Sequence, residues 1–204
     1  MKIGIIGAGH IGGTLGHLLS RAGHEILYGT RNPTAVSAKA GTLAKAAAFG
    51  EVVIFAGPFG AWPDFARDNA AALVRKVLID ASNPYPDRDG PMAAAVVESG
   101  RGSAAYVTEL LPDSHIVRAF NTIYWIDLRD EAGRPGEKLA MPIAGNDAEA
   151  VGIAQSLVRD AGFDPVVVGG LKRSIDLDPG SPIYGKSMTA ERLRAELGLA
   201  AGTA

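Results

Sequence analysis

Near the start of the chain, Gly7-Ala8-Gly9-His10-Ile11-Gly12 spaces its glycines as G-x-G-x-x-G, directly after the apolar run Lys2 to Ile6 and at the opening of an amphipathic stretch, Ile11 to Arg21. Strand, glycine turn and helix in that register make a seat for a pyrophosphate. The first glycine permits the tight turn, the second lets the backbone approach the phosphates, and the third lets the helix pack closely on the strand. The helix start adds unpaired N–H groups and the positive end of a dipole. Gly7, Gly9, His10, Ile11 and Gly12 are therefore the candidate dinucleotide contacts. The competing reading, a glycine-rich turn with no ligand, explains the glycines but not their position between strand and helix.

The end of the second strand, Glu25 to Tyr28, chooses between the two nicotinamide dinucleotides. An acidic residue there would bond the ribose 2′-hydroxyl and repel a 2′-phosphate. The chain instead reads Gly29-Thr30-Arg31-Asn32. Thr30 and Asn32 offer short polar groups, and the Arg31 guanidinium is a planar fork that grips phosphate and stacks on adenine, so NADP(H) is the expected cofactor. Against this stands the plainer view of Arg31 as a solvated loop charge.

In an open α/β sheet, ligands sit beyond the carboxyl ends of the strands. Phe59, Trp62, Tyr85, Phe120, Tyr124, Trp125 and Tyr184 all fall at or after predicted strand ends or in the C-terminal loop. Tyr85, Tyr124, Trp125 and Tyr184 are the candidate pocket for a planar small-molecule redox acceptor; core plugs or a dimer surface are the alternative use of such aromatics. Asn121 is the catalytic candidate, because it follows a strand end directly and its amide can orient either a nicotinamide carboxamide or a heteroatom of the acceptor. The alternative is that it caps the following helix. No motif marks a proton donor, although Tyr124, Tyr184 and Asp127 are available.

Other chemistry is excluded or unsupported. The chain has no cysteine, which removes thiolate, disulfide and Cys-zinc sites. His10, His17 and His24 recur at seven-residue intervals, but two helical turns separate such positions by about 10 Å, too far for shared ligation, so no metal is expected. Lys172, Arg173, Asp176 and Asp178 sit in the C-terminal loop and read as a solvated charge cluster, with a lid contact as the alternative.

The elements that must hold these residues alternate between short β-branched runs and Ala- or Leu-rich helical stretches, the pattern of βαβ units. Further strands are expected over Val52 to Ala56, Val77 to Asp80, His115 to Phe120, Lys138 to Ala144 and Asp164 to Val168. Val52 to Ala56 and Val77 to Asp80 are continuously apolar and belong near the centre of the sheet. Helices are expected over Leu43 to Phe49, Phe65 to Val74, Met92 to Glu98, Ser103 to Leu111 and Asp147 to Asp160, with Asp147 as an N-cap. Room for barely two helical turns precedes Gly41. Gly169 to Gly185 reads as a loop, followed by a short helix from Thr189 to Leu197. The fold class is thus α/β, a single Rossmann-type doubly wound parallel sheet over residues 1–168, with a short C-terminal elaboration, 169–204, packing on the same domain.

At 204 residues, with 20 Lys and Arg against 22 Asp and Glu, the chain shows neither the basic excess of a nucleic-acid binder nor a run long enough to span a membrane. A cytoplasmic location is expected, with a homodimer as one possible assembly.

Taken together, the glycine turn, Thr30-Arg31, Asp80-Ala81-Ser82-Asn83-Pro84, Arg118-Ala119-Phe120-Asn121-Thr122, Ala144-Gly145-Asn146-Asp147 and Pro179-Gly180-Ser181-Pro182-Ile183-Tyr184 resemble the reductases typified by F420-dependent NADP oxidoreductase. The nucleotide domain is also similar to the reductase domain of the STEAP metalloreductases. The resemblance implies hydride transfer between NADP(H) and a flavin or F420. It also implies that Thr30 and Arg31 hold the 2′-phosphate, that Gly57, Pro58 and Phe59 line the ribose and nicotinamide, and that Asn83 and Ala119 lie near the nicotinamide. Two positions differ from the F420-using members. Ala35 stands where they carry a lysine after the strand-two arginine, and Asn121 where they carry a histidine. An NADPH-binding sensor without turnover is the alternative from a different functional class.

Overall fold

The computed structural model describes residues 1–36 and 38–200; the end of the C-terminal elaboration, 201–204, lies outside them. Along the chain the elements are β1 (Lys2–Ile6), α1 (His10–Arg21), β2 (Glu25–Gly29), β3 (Ala40–Gly41), α2 (Leu43–Phe49), β4 (Val52–Phe55), α3 (Trp62–Leu73), β5 (Val77–Asp80), α4 (Pro86–Asp89), α5 (Pro91–Glu98), α6 (Ser103–Leu110), β6 (His115–Arg118), α7 (Trp125–Asp130), β7 (Ala140–Gly145), α8 (Ala148–Asp160), β8 (Asp164–Gly169) and α9 (Ala190–Glu196). The strands form one sheet in the order β3-β2-β1-β4-β5-β6-β7-β8. The order reverses between β1 and β4, which opens a crevice at their carboxyl ends.

Both faces of the sheet are covered, as its sequence demands. Val52 and Ile54 of β4 face one core with Ile3, Ile5, Leu15 and Leu19, while Val53 and Phe55 face the other with Trp62, Phe65, Leu78 and Val107. This two-sided burial accounts for the continuous apolar runs at β4 and β5. A third cluster joins β7 and β8 to the C-terminal segment through Val166, Val168, Leu177, Ile183, Met188 and Leu193. Residues 169–200 therefore pack on the sheet rather than standing apart.

The sheet is parallel except at one junction: β7 runs antiparallel to β6, and β8 follows β7 in parallel. A parallel return needs a crossover, usually a full helix along the sheet face. The connection from β6 to β7 contains only the six-residue α7, which lies across the strand ends against α1, so the chain re-enters the sheet in the opposite direction. Other boundaries moved as well. β6 ends at Arg118 rather than Phe120, because Phe120 turns into the left-handed region at φ 63°. The stretch before Gly41 holds, among its described residues, the 3-10 turn Pro33–Ala35, and the expected C-terminal loop contains a 3-10 helix, Leu171–Leu177. Asp147 caps α8, accepting from the Ala150 N–H at 2.8 Å. No helix among the described residues is long and apolar enough to cross a membrane.

Candidate functional site

The glycine turn has the geometry a pyrophosphate requires. Gly7 takes φ +103°, and a β-carbon there would lie 2.8 Å from the Ala56 carbonyl oxygen. At Gly12 a β-carbon would fall 2.0 Å from the Gly7 carbonyl oxygen, so the third glycine is what lets α1 start against the turn. Gly9 is different, because a β-carbon there would meet nothing within 4 Å. Its open side, beside the N-terminus of α1, is the cradle a phosphate group would fill. The β1–β2 register pairs Ile6 with Gly29, which brings Thr30, Arg31 and Asn32 level with the turn. Arg31 and Asn32 are exposed there.

From the turn, a cleft of about 520 Å³ extends across the carboxyl ends of β4, β5 and β6. His10 and Ile11 border it on one side, Gly57, Pro58 and Asn83 form its floor, and Tyr85, Tyr124, Trp125 and Tyr184 are its aromatic walls. The His10 and Trp125 rings stack at 4.2 Å between centroids and 18° between planes, so the phosphate turn and the aromatic wall are in contact. The Tyr85 and Tyr184 hydroxyls hydrogen-bond to each other across the cleft. Burial, together with that bond, raises the Tyr184 phenol well above its ordinary pKa.

The aromatic set thus divides between the two roles open to it. Phe59 is wholly buried and packs against Tyr106 at 5.8 Å; its side chain belongs to the core and does not border the cleft, unlike its neighbours Gly57 and Pro58. Trp62, also wholly buried, stacks on Phe55 at 3.8 Å and donates from Nε1 to Ser82 Oγ at 3.0 Å. Ala119 is buried in the core beside Val117 and does not border the cleft, whereas Phe120 does.

Asn121 departs furthest from expectation. Its Nδ2 donates to Asn83 Oδ1 at 2.9 Å and to the Leu177 carbonyl at 2.7 Å. Its own carbonyl accepts from Asn83 Nδ2 at 2.8 Å. Both amide hydrogens are thus committed to the protein, and Asn121 cannot donate to an acceptor ring as it stands. Nor does it cap a helix, since α7 begins only at Trp125 behind Tyr124. Asn121 positions Asn83 and the C-terminal segment; only its Oδ1, which has no partner among the described residues, remains to accept a hydrogen bond.

The same segment is held by a charge network that the sequence reading did not assign. Arg118 is wholly buried at the end of β6, where the register places it beside Asp80 of β5. Its Nη1 donates to Asp80 Oδ2 at 2.7 Å and to the Ser82 carbonyl at 2.6 Å, and its Nη2 donates to Asp178 Oδ1 at 2.7 Å. Burial opposes the charge, but the two carboxylates outweigh it and raise the guanidinium above its ordinary value. Asp178 also accepts from the Ser103 N–H and hydroxyl at 2.7 and 2.6 Å, so it is not part of a solvated cluster. A strand ending in Arg next to one ending in Asp was the available signal, because a buried charge must be paired. Gly185 N–H then donates to the Thr122 carbonyl at 2.8 Å. Residues 178–185 are by these ties a strap that delivers Tyr184 to the cleft.

Residues 2–84 match the family described as NADP oxidoreductase, coenzyme F420-dependent. The match covers about two-fifths of the chain, from the phosphate turn through Asn83. The chain is 28% identical over 183 residues to metalloreductase STEAP3 of Rattus norvegicus, covering 87% of this chain and 36% of the relative. It thus spans about a third of the length of the curated relatives it matches. Among solved structures, a hypothetical protein from Sinorhizobium meliloti superposes with TM-score 0.77 at 26% identity, over 93% of this chain and 95% of that one. A provisionally assigned F420-dependent NADP reductase from an Arthrobacter species gives TM-score 0.76 at 23% identity, over 93% and 99%; at that identity it shows the fold. Phosphate turn, strand-two tip and floor of the cleft all lie within the family's matched segment, whereas Tyr124, Trp125 and Tyr184 lie beyond it.

Proposed function

We propose that the protein binds NADPH and reduces a planar acceptor of the flavin or deazaflavin type. The observation that carries this reading is the continuity of the phosphate turn with an aromatic-walled cleft, joined by the His10–Trp125 stack. NADPH supplies a hydride from its nicotinamide. The protein's part is placement: the open side of Gly9 and the α1 N-terminus hold the pyrophosphate, and Thr30 and Arg31 hold the 2′-phosphate. Asn83, fixed by Arg118 and Asn121, lies on the floor where the nicotinamide would rest. Tyr85, Tyr124, Trp125 and Tyr184 offer flat apolar faces that seat a ring and exclude water. Transfer of a hydride between stacked rings depends on alignment more than on an acid, so a cleft with no carboxylate among its described lining residues suits it. Stopped-flow mixing of NADPH-loaded protein with FMN, FAD or F420 tests the proposal. It predicts oxidation of bound NADPH by at least one of the three; oxidation by none would favour a nucleotide sensor.

A further inference from the structure

Arg88 is the only side chain of fixed charge among the described residues lining the cleft, and no carboxylate lines it. Its guanidinium is held in place rather than free. Nε donates to Asp89 Oδ1 at 3.0 Å, Nη2 donates to Asp89 Oδ2 at 2.8 Å and to the Asn83 carbonyl at 3.0 Å, and the group lies over the Tyr85 ring at 4.8 Å from its centroid. Asp89 itself is 2% exposed at the side chain and accepts from the Gly60 and Tyr85 N–H groups at 3.1 Å each. The carboxylate is turned away into the protein, and Nη1 has no partner among the described residues. A guanidinium with one edge locked and the other open, on an aromatic face, is prepared for a phosphate.

The phosphates of the dinucleotide are not its target. Arg88 stands in α4, beyond β5, which lies two strands from β1 and three from β2 in the sheet order, and at ~4.8 Å per strand the end of β5 is about 10 Å from the end of β1 and about 14 Å from the end of β2. It lies on the acceptor side, next to Tyr85 and Tyr184.

We propose that Arg88 makes the acceptor site selective for planar acceptors that carry a phosphate on their side arm, with the ring between the aromatic walls and the phosphate on Nη1. This rests on the reading of the cleft as an acceptor site and adds the chemistry of what it takes. FMN and riboflavin share a ring and differ in that phosphate, so they are the probes. Quenching of flavin fluorescence on titration into NADP⁺-saturated protein gives each dissociation constant without turnover. FMN is expected to bind about tenfold more tightly than riboflavin, the modest value fitting a half-exposed, partly compensated cation. Arg88→Gln should erase the preference by weakening FMN alone, and Arg88→Lys should keep part of it. NADP⁺ affinity and melting temperature show whether each variant is folded, and Arg88→Lys carries the test if the glutamine variant is not. Equal affinities in the unmodified protein, no binding of either flavin, or a preference that survives Arg88→Gln would overturn the proposal. NADPH oxidation by both flavins without preference would sink this inference and leave the reductase reading intact. Preferential FMN binding without NADPH oxidation would do the reverse.

Discussion

Gly9 separates binding from folding more cleanly than any other position of the phosphate turn. Its backbone, at φ −77° and ψ −162°, is extended and open to any L-residue, and a β-carbon would meet nothing within 4 Å. Gly9→Ala should therefore fold normally, and the reduced freedom of the unfolded chain contributes ~0.4–1 kcal/mol of stability. For a chain of this length that is a rise of roughly 1–4 °C in Tm. Gly9→Val adds a branched three-carbon side chain where a pyrophosphate must approach the backbone. Loss of two charge-assisted N–H contacts, at about 1.5–3 kcal/mol each, amounts to ~3–6 kcal/mol, or a Kd for NADPH weakened by roughly 10²–10⁴. Calorimetric titration with NADPH measures the affinity and differential scanning measures the melt. Gly12→Ala is the contrasting variant: its β-carbon would fall 2.0 Å from the Gly7 carbonyl oxygen, so it should lower the melting temperature. Unchanged NADPH affinity in Gly9→Val, or a melt that falls as far as in Gly12→Ala, would refute the assignment of the open side of Gly9 to phosphate.

Arg31→Ala should weaken NADPH by about 1.5–3 kcal/mol and leave NADH nearly unchanged, because only the former loses a charge-assisted contact; equal losses by calorimetry would show that Arg31 does not read the 2′-phosphate. Asp178→Asn removes one of the two carboxylates on the buried Arg118 and should cost about 3 kcal/mol in urea unfolding; a change below about 0.5 kcal/mol, the range of an ordinary surface substitution, would mean that the strap is held by packing alone. Burial alone would raise the Asp89 carboxyl, but hydrogen bonds from Arg88, Tyr85 and Gly60 outweigh it and hold it below the usual carboxylate range. A depressed folded value means that the native state binds fewer protons. The stabilisation from Asp89 is then present above the ordinary carboxylate pKa and lost as pH falls through the folded value. Asp89→Asn should flatten that part of the acid limb of a stability–pH curve, and an unaltered limb would remove Asp89 from the account.

What the sequence determined by itself was local. The glycine turn was legible because strand, turn and helix are contiguous, and the steric demands on Gly7 and Gly12 arise from residues of the turn and the neighbouring strand ends. The central strands were legible because burial on both faces writes an unbroken apolar run. The Asp147 cap was legible because its partner is three residues away. The remainder depended on which distant segments meet. Phe59 and Tyr85 both follow a strand and are indistinguishable in pattern, yet one is enclosed by α3 and α6 and the other opens on the cleft, a difference set by the helices above each strand. Asn121 looked like a free amide until Leu177, 56 positions on, supplied the carbonyl that holds it. Arg118 and Asp178, 60 positions apart, form an ion pair that no periodicity encodes, since a buried charge chooses its partner in three dimensions. The reversal of β7 had the same origin: α7 stacks Trp125 on His10 across the strand ends instead of crossing the sheet face, so tertiary packing decided the strand direction and with it the strap that brings Tyr184 to Tyr85.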